Sequence, residues 1–308
     1  MISVIVGHTV RNRYVRGMIY SVHMPLFFFL SGITVKVPSS IRNWSTLAKK
    51  SAHQLLIPYL FCSIVFALRD YRGQPIKSFV LDYSQTIIWA NGIDIRYHGK
   101  RIHYIGRPWF FVALFWGRII HSAVLLLSSN PIIRGMISIV LTGLGVITGG
   151  HQFGRYHLPW SYDVVFSVQC FFMIGKRFNR KIKFHWKFII VLFVSSFAWW
   201  KSFCWILYRS HYYLDLAPRQ YPLFPLCYCV TILGIISILS GSVLLQSIPA
   251  LNRSIAYIGC HSLTLYIIHC FDFFASKSFT HSKSHNLNAV VRVLINLCLF
   301  IFARIVPW

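Results

Sequence analysis

Ten stretches of this chain are almost free of charged side chains, at about 1–10, 19–35, 53–68, 108–128, 132–149, 162–175, 186–208, 222–247, 255–275 and 287–306. A helix needs about 20 mainly apolar residues to cross the hydrocarbon of a bilayer. Within lipid every backbone N–H and C=O must find a partner inside the protein, which leaves helices or a closed barrel. A barrel would show short segments of alternating polarity, and no such alternation is present. The expectation is an all-α, polytopic integral membrane bundle of about nine or ten transmembrane helices. No repeat or low-complexity linker divides it, so residues 1–308 read as a single domain.

The first run is half the needed length and is followed by Arg11 and Arg13. The first helix therefore reads as truncated, with the natural reading frame expected to extend upstream of Met1. A signal peptide is a poor fit, because a basic leader and a cleavage site are missing.

Charged residues make up 12% of the chain, against roughly a quarter in soluble domains. Six aspartates and no glutamate stand against 31 Lys and Arg, for a formal net charge of +25. In a soluble protein that excess would suggest nucleic acid. Here the cations lie between apolar runs, so anionic lipid headgroups are the expected partner and nucleic acid is not.

The loop Lys36–Lys50 (Lys36, Arg42, Lys49, Lys50) and the loop after the sixth run (Lys176, Arg177, Arg180, Lys181, Lys183) share one side if every run crosses. Arg11, Arg13, Arg16 and much of Arg69–Arg107 fall on the other, so the charge rule does not fix orientation. The segment SFVLDYSQTIIWANGI reads as a re-entrant or interfacial helix. Trp44, Trp89, Trp186 and Trp308 sit near run ends, as interface residues do. The eight cysteines lie mostly in apolar runs without a CxxC pair and read as small buried hydrophobes.

Polar groups inside membrane runs are costly and point to function. His8 sits in VIVGHT beside Gly7, which permits close approach of another helix. It reads either as a general base or as a histidine bonded within the core. His23 opens HMPLFFFLSG, where Pro25 frees a carbonyl one turn earlier and Ser31-Gly32 permits tight packing. From spacing alone a kinked structural helix explains those residues better than catalysis does. Arg107 suits an interface anchor. Asp163, near a helix start, gains from the helix dipole. Asp215 and Arg219 in YLDLAPRQY suit a mutual pair in a loop. His269 reads as a packing residue or a second polar contact, and His121 as structural. The scattered Asp and His positions give no metal site, and nucleophile-elbow, phosphate-loop, dinucleotide and zinc-helix motifs are absent.

GHTV followed by IYSVHMPLFFFLSGI resembles the opening of the membrane acyltransferase-3 family, in its fucose 4-O-acetylase-like branch. LLIPYLF (Leu55–Phe61), RPWFFVALF (Arg107–Phe115), LPWSYDVVFSVQCFFMIGKRF, DLAPRQYPLFPL and IGCHSLTLYIIHC resemble its later blocks, in family order from residue 5 to residue 270. The resemblance implies an O-acyltransferase of the cell inner membrane. Its acyl donor would be acetyl-CoA and its acceptor a hydroxyl of a cell-surface or lipid-linked sugar. A succinyl or other donor, a polysaccharide exporter or flippase, and a non-catalytic remnant are the alternatives.

By the same resemblance His8 and His23 are catalytic positions, and Trp109, Asp163, Asp215, Arg219 and His269 contact substrate. Arg219 or Arg107 would supply positive charge to the oxyanion, and basic loops would hold the phosphates of coenzyme A. The chain departs from the family in two places. The basic residue that precedes the first histidine would lie before Met1, and His53-Gln54 stands where basic residues often precede LLIPY.

Overall fold

The computed structural model describes residues 2–10, 12–152, 156–178, 185–279 and 285–305. Arg11, Arg180, Lys181, Lys183 and Trp308 lie outside the described residues. The elements are α1 (Ile2–Gly7), α2 (Arg13–Thr34), α3 (Ile41–Asp70), α4 (Ile76–Trp89), β1 (Ile95–Tyr97), β2 (Lys100–Ile102), α5 (Trp109–Leu127), α6 (Pro131–Gly149), α7 (Tyr162–Ser167) and α8 (Gln169–Arg177). They continue with α9 (Lys187–Ser210), α10 (Leu226–Leu245), α11 (Pro249–Cys260), α12 (Ser262–Phe279) and α13 (His285–Ile305).

The all-α membrane architecture is as expected, but the number of crossings differs. Among the described residues six helices are long and apolar enough to span: α2, α3, α5, α6, α9 and α10. A seventh span arises if α11 and α12, bent by 70° at their junction, count as one. The run at 162–175 is not one helix. Val168 leaves the helical region at ψ 1°, which divides the run into α7 and α8, and a 3₁₀ turn at Pro159–Ser161, where Trp160 and Ser161 take left-handed φ of 58° and 51°, precedes it. In the last run the apolar stretch Val290–Ile301 is shorter than a bilayer is thick. The segment read as re-entrant or interfacial forms α4, of 14 residues. Trp89 at its end is no interface residue: it is buried with Ile95 and Ile102 in a small core under the β1–β2 hairpin.

The chain forms two compact units. The hairpin unit comprises Met24–Arg180 and Asp215–Tyr221, and the histidine unit comprises Met1–His23, Lys181–Leu214 and Pro222–Trp308.

In the hairpin unit α5 is central, with 67% of its most apolar stretch buried, whereas α6 buries 28% and leaves the rest for lipid. Asn130 caps α6 by accepting from the Ile132 N–H at 2.8 Å, with Pro131 at the first helical position. The second half of α2 meets α8 backbone to backbone. A Cβ at Gly32 would run into the Phe172 carbonyl, and one at Gly175 into the Phe29 carbonyl. Without a hydrophobic force between helices in lipid, such close contact is what holds them. One end of this unit gathers the end of α2 and the start of α3. The other gathers the hairpin, the start of α5 and the end of α6.

In the histidine unit α9 and α10 pack along their length, with Ser196 and Ser237 hydroxyls 2.6 Å apart. The Ser21 carbonyl, one turn before Pro25, accepts from Thr231 Oγ1 at 2.9 Å, which satisfies the group the proline leaves without a helical donor. Cys227 and Cys270 here are buried, as is Cys62 in the hairpin unit, but Cys229, Cys260 and Cys298 are exposed rather than interior.

Candidate active site

In the histidine unit, α1 ends at Gly7 and His8 follows in the turn, exposed rather than enclosed in a helix interior. A Cβ at Gly7 would meet Ile19 and Tyr20 at 3.0 Å, so the glycine is what lets α2 come this close. The result is a hydrogen bond between Tyr20 Oη and His8 Nδ1 at 2.7 Å. Tyr20 also stands edge-on to His23, with centroids 4.9 Å apart. His23 donates Nδ1–H to the Ile19 carbonyl at 2.9 Å; a carbonyl only accepts, so the neutral ring keeps its lone pair on Nε2.

The ring of His269, on α12, lies 5.3 Å from that of His8. His269 is fully buried and its Nδ1 bonds Asp272 Oδ2 at 2.9 Å. A buried carboxylate must be paired and hydrogen-bonded. Arg292 donates to both oxygens of Asp272 at 2.7 and 2.8 Å, and Asn296 Nδ2 adds a contact at 3.3 Å. Arg292 Nη1 also reaches Thr9 Oγ1 at 3.3 Å, which ties the carboxylate to the residue after His8.

Tyr20, Asp272, Arg292 and Asn296 had no place among the sequence candidates. The signal was available. Asp272 lies three residues after His269 and Asn296 four after Arg292, so each pair shares a helix face inside an apolar run.

The hairpin unit holds a second cluster. Arg219 and Asp163 are both fully buried, with Nε to Oδ2 at 2.8 Å and Nη2 to Oδ1 at 3.4 Å. The expected Asp215–Arg219 pair is replaced by this one. Arg219 Nη2 also donates to Asn91 Oδ1 and to Ser161 Oγ at 3.2 Å, and Nη1 to the Ala217 carbonyl at 2.8 Å. All three guanidinium nitrogens are engaged, and the group is fully buried.

Asp215 instead shapes the loop. Its backbone bridges Gln220 at 3.1 and 2.9 Å, and its carboxylate accepts the Ala217 N–H at 3.3 Å. Arg219 and Ser161 both sit at left-handed φ, 56° and 51°. Such backbone is costly for a side-chain-bearing residue and persists where the surroundings over-determine it. Trp109 backs the cluster: a Cβ at Gly92 would touch both its indole and Ala217, each at 2.9 Å.

A cavity of about 550 Å³ opens where α2 ends and α3 begins, lined by Lys36, Lys50 and Arg118 among polar and apolar neighbours. No carboxylate lines it among the described residues. Arg118 Nε donates to Ser31 Oγ at 2.7 Å. His121, one turn along α5, is fully buried and stacked on Phe172 at 5.3 Å, with no hydrogen bond to either ring nitrogen among the described residues. No group of three potential metal-binding side chains occurs among the described residues.

A family model described as an acyltransferase domain matches residues 1–308. No curated protein and no solved structure matches the chain.

Proposed function

The chain belongs to the acyltransferase-3 family, and from that premise we propose that it is an O-acyltransferase of the fucose 4-O-acetylase-like branch, moving acetyl from acetyl-CoA to a sugar hydroxyl. The observation that carries this reading is His8: an exposed imidazole with Tyr20 on its Nδ1 and the His269–Asp272 pair beside it.

With Nδ1–H donated to Tyr20 Oη, His8 Nε2 bears the lone pair that takes the proton of the acceptor hydroxyl. The hydroxyl oxygen then bonds to the thioester carbon, the C–S bond breaks, and His8 returns its proton to the departing sulfur. His23 offers Nε2 as an acceptor that orients the hydroxyl. His269, fully buried and with its tautomer set by Asp272, serves the substrate by holding the ring of His8 in place. The 550 Å³ cavity suits the phosphates of coenzyme A, because three cations face it without a carboxylate. By the family resemblance Trp109, Asp163, Asp215 and Arg219 serve the substrate, and within their own unit they hold the loop at Asp215–Tyr221 in place. The setting is the cell inner membrane, and the acceptor is a cell-surface or lipid-linked glycan.

The test is mass analysis of the surface glycan with and without the gene. Loss of one acetyl group per modified sugar supports acetyl transfer. A succinyl-sized loss would change the donor, and an unmodified glycan left inside the cell would indicate export.

A further inference from the structure

In the hairpin, Arg96 on β1 stands directly opposite Arg101 on β2. Like charges facing each other across an antiparallel pair are destabilising. Trp89, Ile95 and Ile102 form its buried core, and the Ile105 N–H that follows it donates to the Asn91 carbonyl at 3.0 Å. Among the described residues one carboxylate answers the two guanidinium groups, and it is taken: Asp94 binds Arg101 Nε at 3.2 Å and Nη2, and accepts the Tyr104 N–H at 2.9 Å. Arg96 has no ion pair or hydrogen bond among the described residues.

Both arginines line one cavity of about 400 Å³, together with Asp94, His151 and His157. Gly149 forms part of its wall, where a Cβ would stand 2.6 Å from Asp163 Oδ2. His157 Nδ1 lies 3.8 Å from the same oxygen. The wall is thereby fixed to the buried Asp163–Arg219 cluster.

We propose that this cavity binds an anionic group, a carboxylate or a phosphate, carried by the acceptor glycan, and so selects acceptors that bear one. The proposal rests on the acyltransferase reading of the chain. The volume falls in the range of small-molecule sites, about 300–1,000 Å³. An arginine fork fits a carboxylate or phosphate with two parallel hydrogen bonds. The opposed arginines cost stability when the cavity is empty, and an entering oxyanion relieves that cost. Affinity and intrinsic stability therefore pull Arg96 in opposite directions, which separates a binding role from a structural one.

The test uses the full chain in nanodiscs of zwitterionic lipid, with thermal unfolding followed in glucuronate, glucose 1-phosphate or glucose. Both anions raise the unfolding temperature of the wild type and glucose does not. Arg96→Gln loses the anion-dependent rise, yet without ligand it unfolds at or above the wild-type temperature. Lys50→Gln, in the other cavity, keeps the rise. No rise in the wild type, or an undiminished rise in Arg96→Gln, overturns the site.

Adding phosphatidylglycerol separates the two sources of anion. A glucuronate response that persists supports the sugar assignment, and one abolished by the lipid assigns the cavity to headgroups and overturns it. In transfer assays the wild type prefers an oligosaccharide carrying a uronic acid over its neutral counterpart by about tenfold in kcat/KM, and Arg96→Gln loses that preference. Equal use of both by the wild type contradicts the proposal. Absence of transfer to any acceptor would count against the acyltransferase reading, while the thermal experiment would still decide the anion site.

Discussion

Each unit buries one carboxylate against one arginine, and they use the pair differently. In the hairpin unit Asp163 and Arg219 are sealed, and each guanidinium nitrogen is engaged, by Asp163, Asn91, Ser161 or Ala217. In the histidine unit Asp272 divides its oxygens among Arg292, Asn296 and the ring of His269, and Arg292 keeps 12% of its side chain exposed. The first arrangement fixes a loop in left-handed backbone that would not hold by itself. The second fixes the tautomer and ring plane of a histidine next to an exposed one. A buried ion pair is weak support for stability in itself; what it holds in place distinguishes the two.

The largest effect that sharpens this comparison is Asp163→Ala. It strands a fully enclosed guanidinium and should cost about 3–5 kcal/mol, read as loss of folded protein in detergent and a lower unfolding temperature. Asp272→Ala should cost less, about 1–3 kcal/mol, because Arg292 can turn toward solvent. Its acyl transfer per folded molecule should nevertheless fall, since His269 loses the group that sets its tautomer. If Asp272→Ala proves the more destabilising of the two and leaves specific activity intact, the assignment of lock and orienter is reversed.

Tyr20→Phe should be milder. It removes one hydrogen bond to His8 and should slow transfer by about three- to tenfold with little change in stability. A kcat unchanged in Tyr20→Phe would show that Tyr20 does not orient His8. The smallest effect belongs to a histidine outside both clusters. His121 buries two ring nitrogens with no hydrogen bond among the described residues, so His121→Leu should leave activity unchanged and hold or raise stability by up to about 1 kcal/mol. A marked loss of activity would give His121 a role that neither cluster explains.

Much of the architecture is legible as apolar runs, because lipid imposes length and satisfaction of the backbone at once. Gly7, Ser31-Gly32 and the carbonyl freed by Pro25 each act where the sequence suggests close packing or a missing bond. The break at Trp160-Ser161 is not legible, since bulky or ordinary residues seldom take left-handed backbone and neither is a glycine. The bend at His261 carries no proline signal either.

His8, His23 and His269 are prominent in the sequence and meet in space. The carboxylate that serves them is less visible, because Asp272 gains meaning only beside Arg292 and Asn296, one helix further along the chain. Asp215 and Arg219 look like partners by spacing, yet a guanidinium buried in this loop takes the carboxylate that α7 brings to it.

The most direct measurement is transfer of isotope-labelled acetyl from acetyl-CoA to a glycan acceptor by purified wild-type and His8→Ala proteins, normalised to folded protein. His8 is exposed, so the variant should fold and insert as well as the wild type. Loss of a general base should lower its rate by about 10²–10⁴-fold. A well-folded His8→Ala protein that transfers acetyl at the wild-type rate would contradict the account.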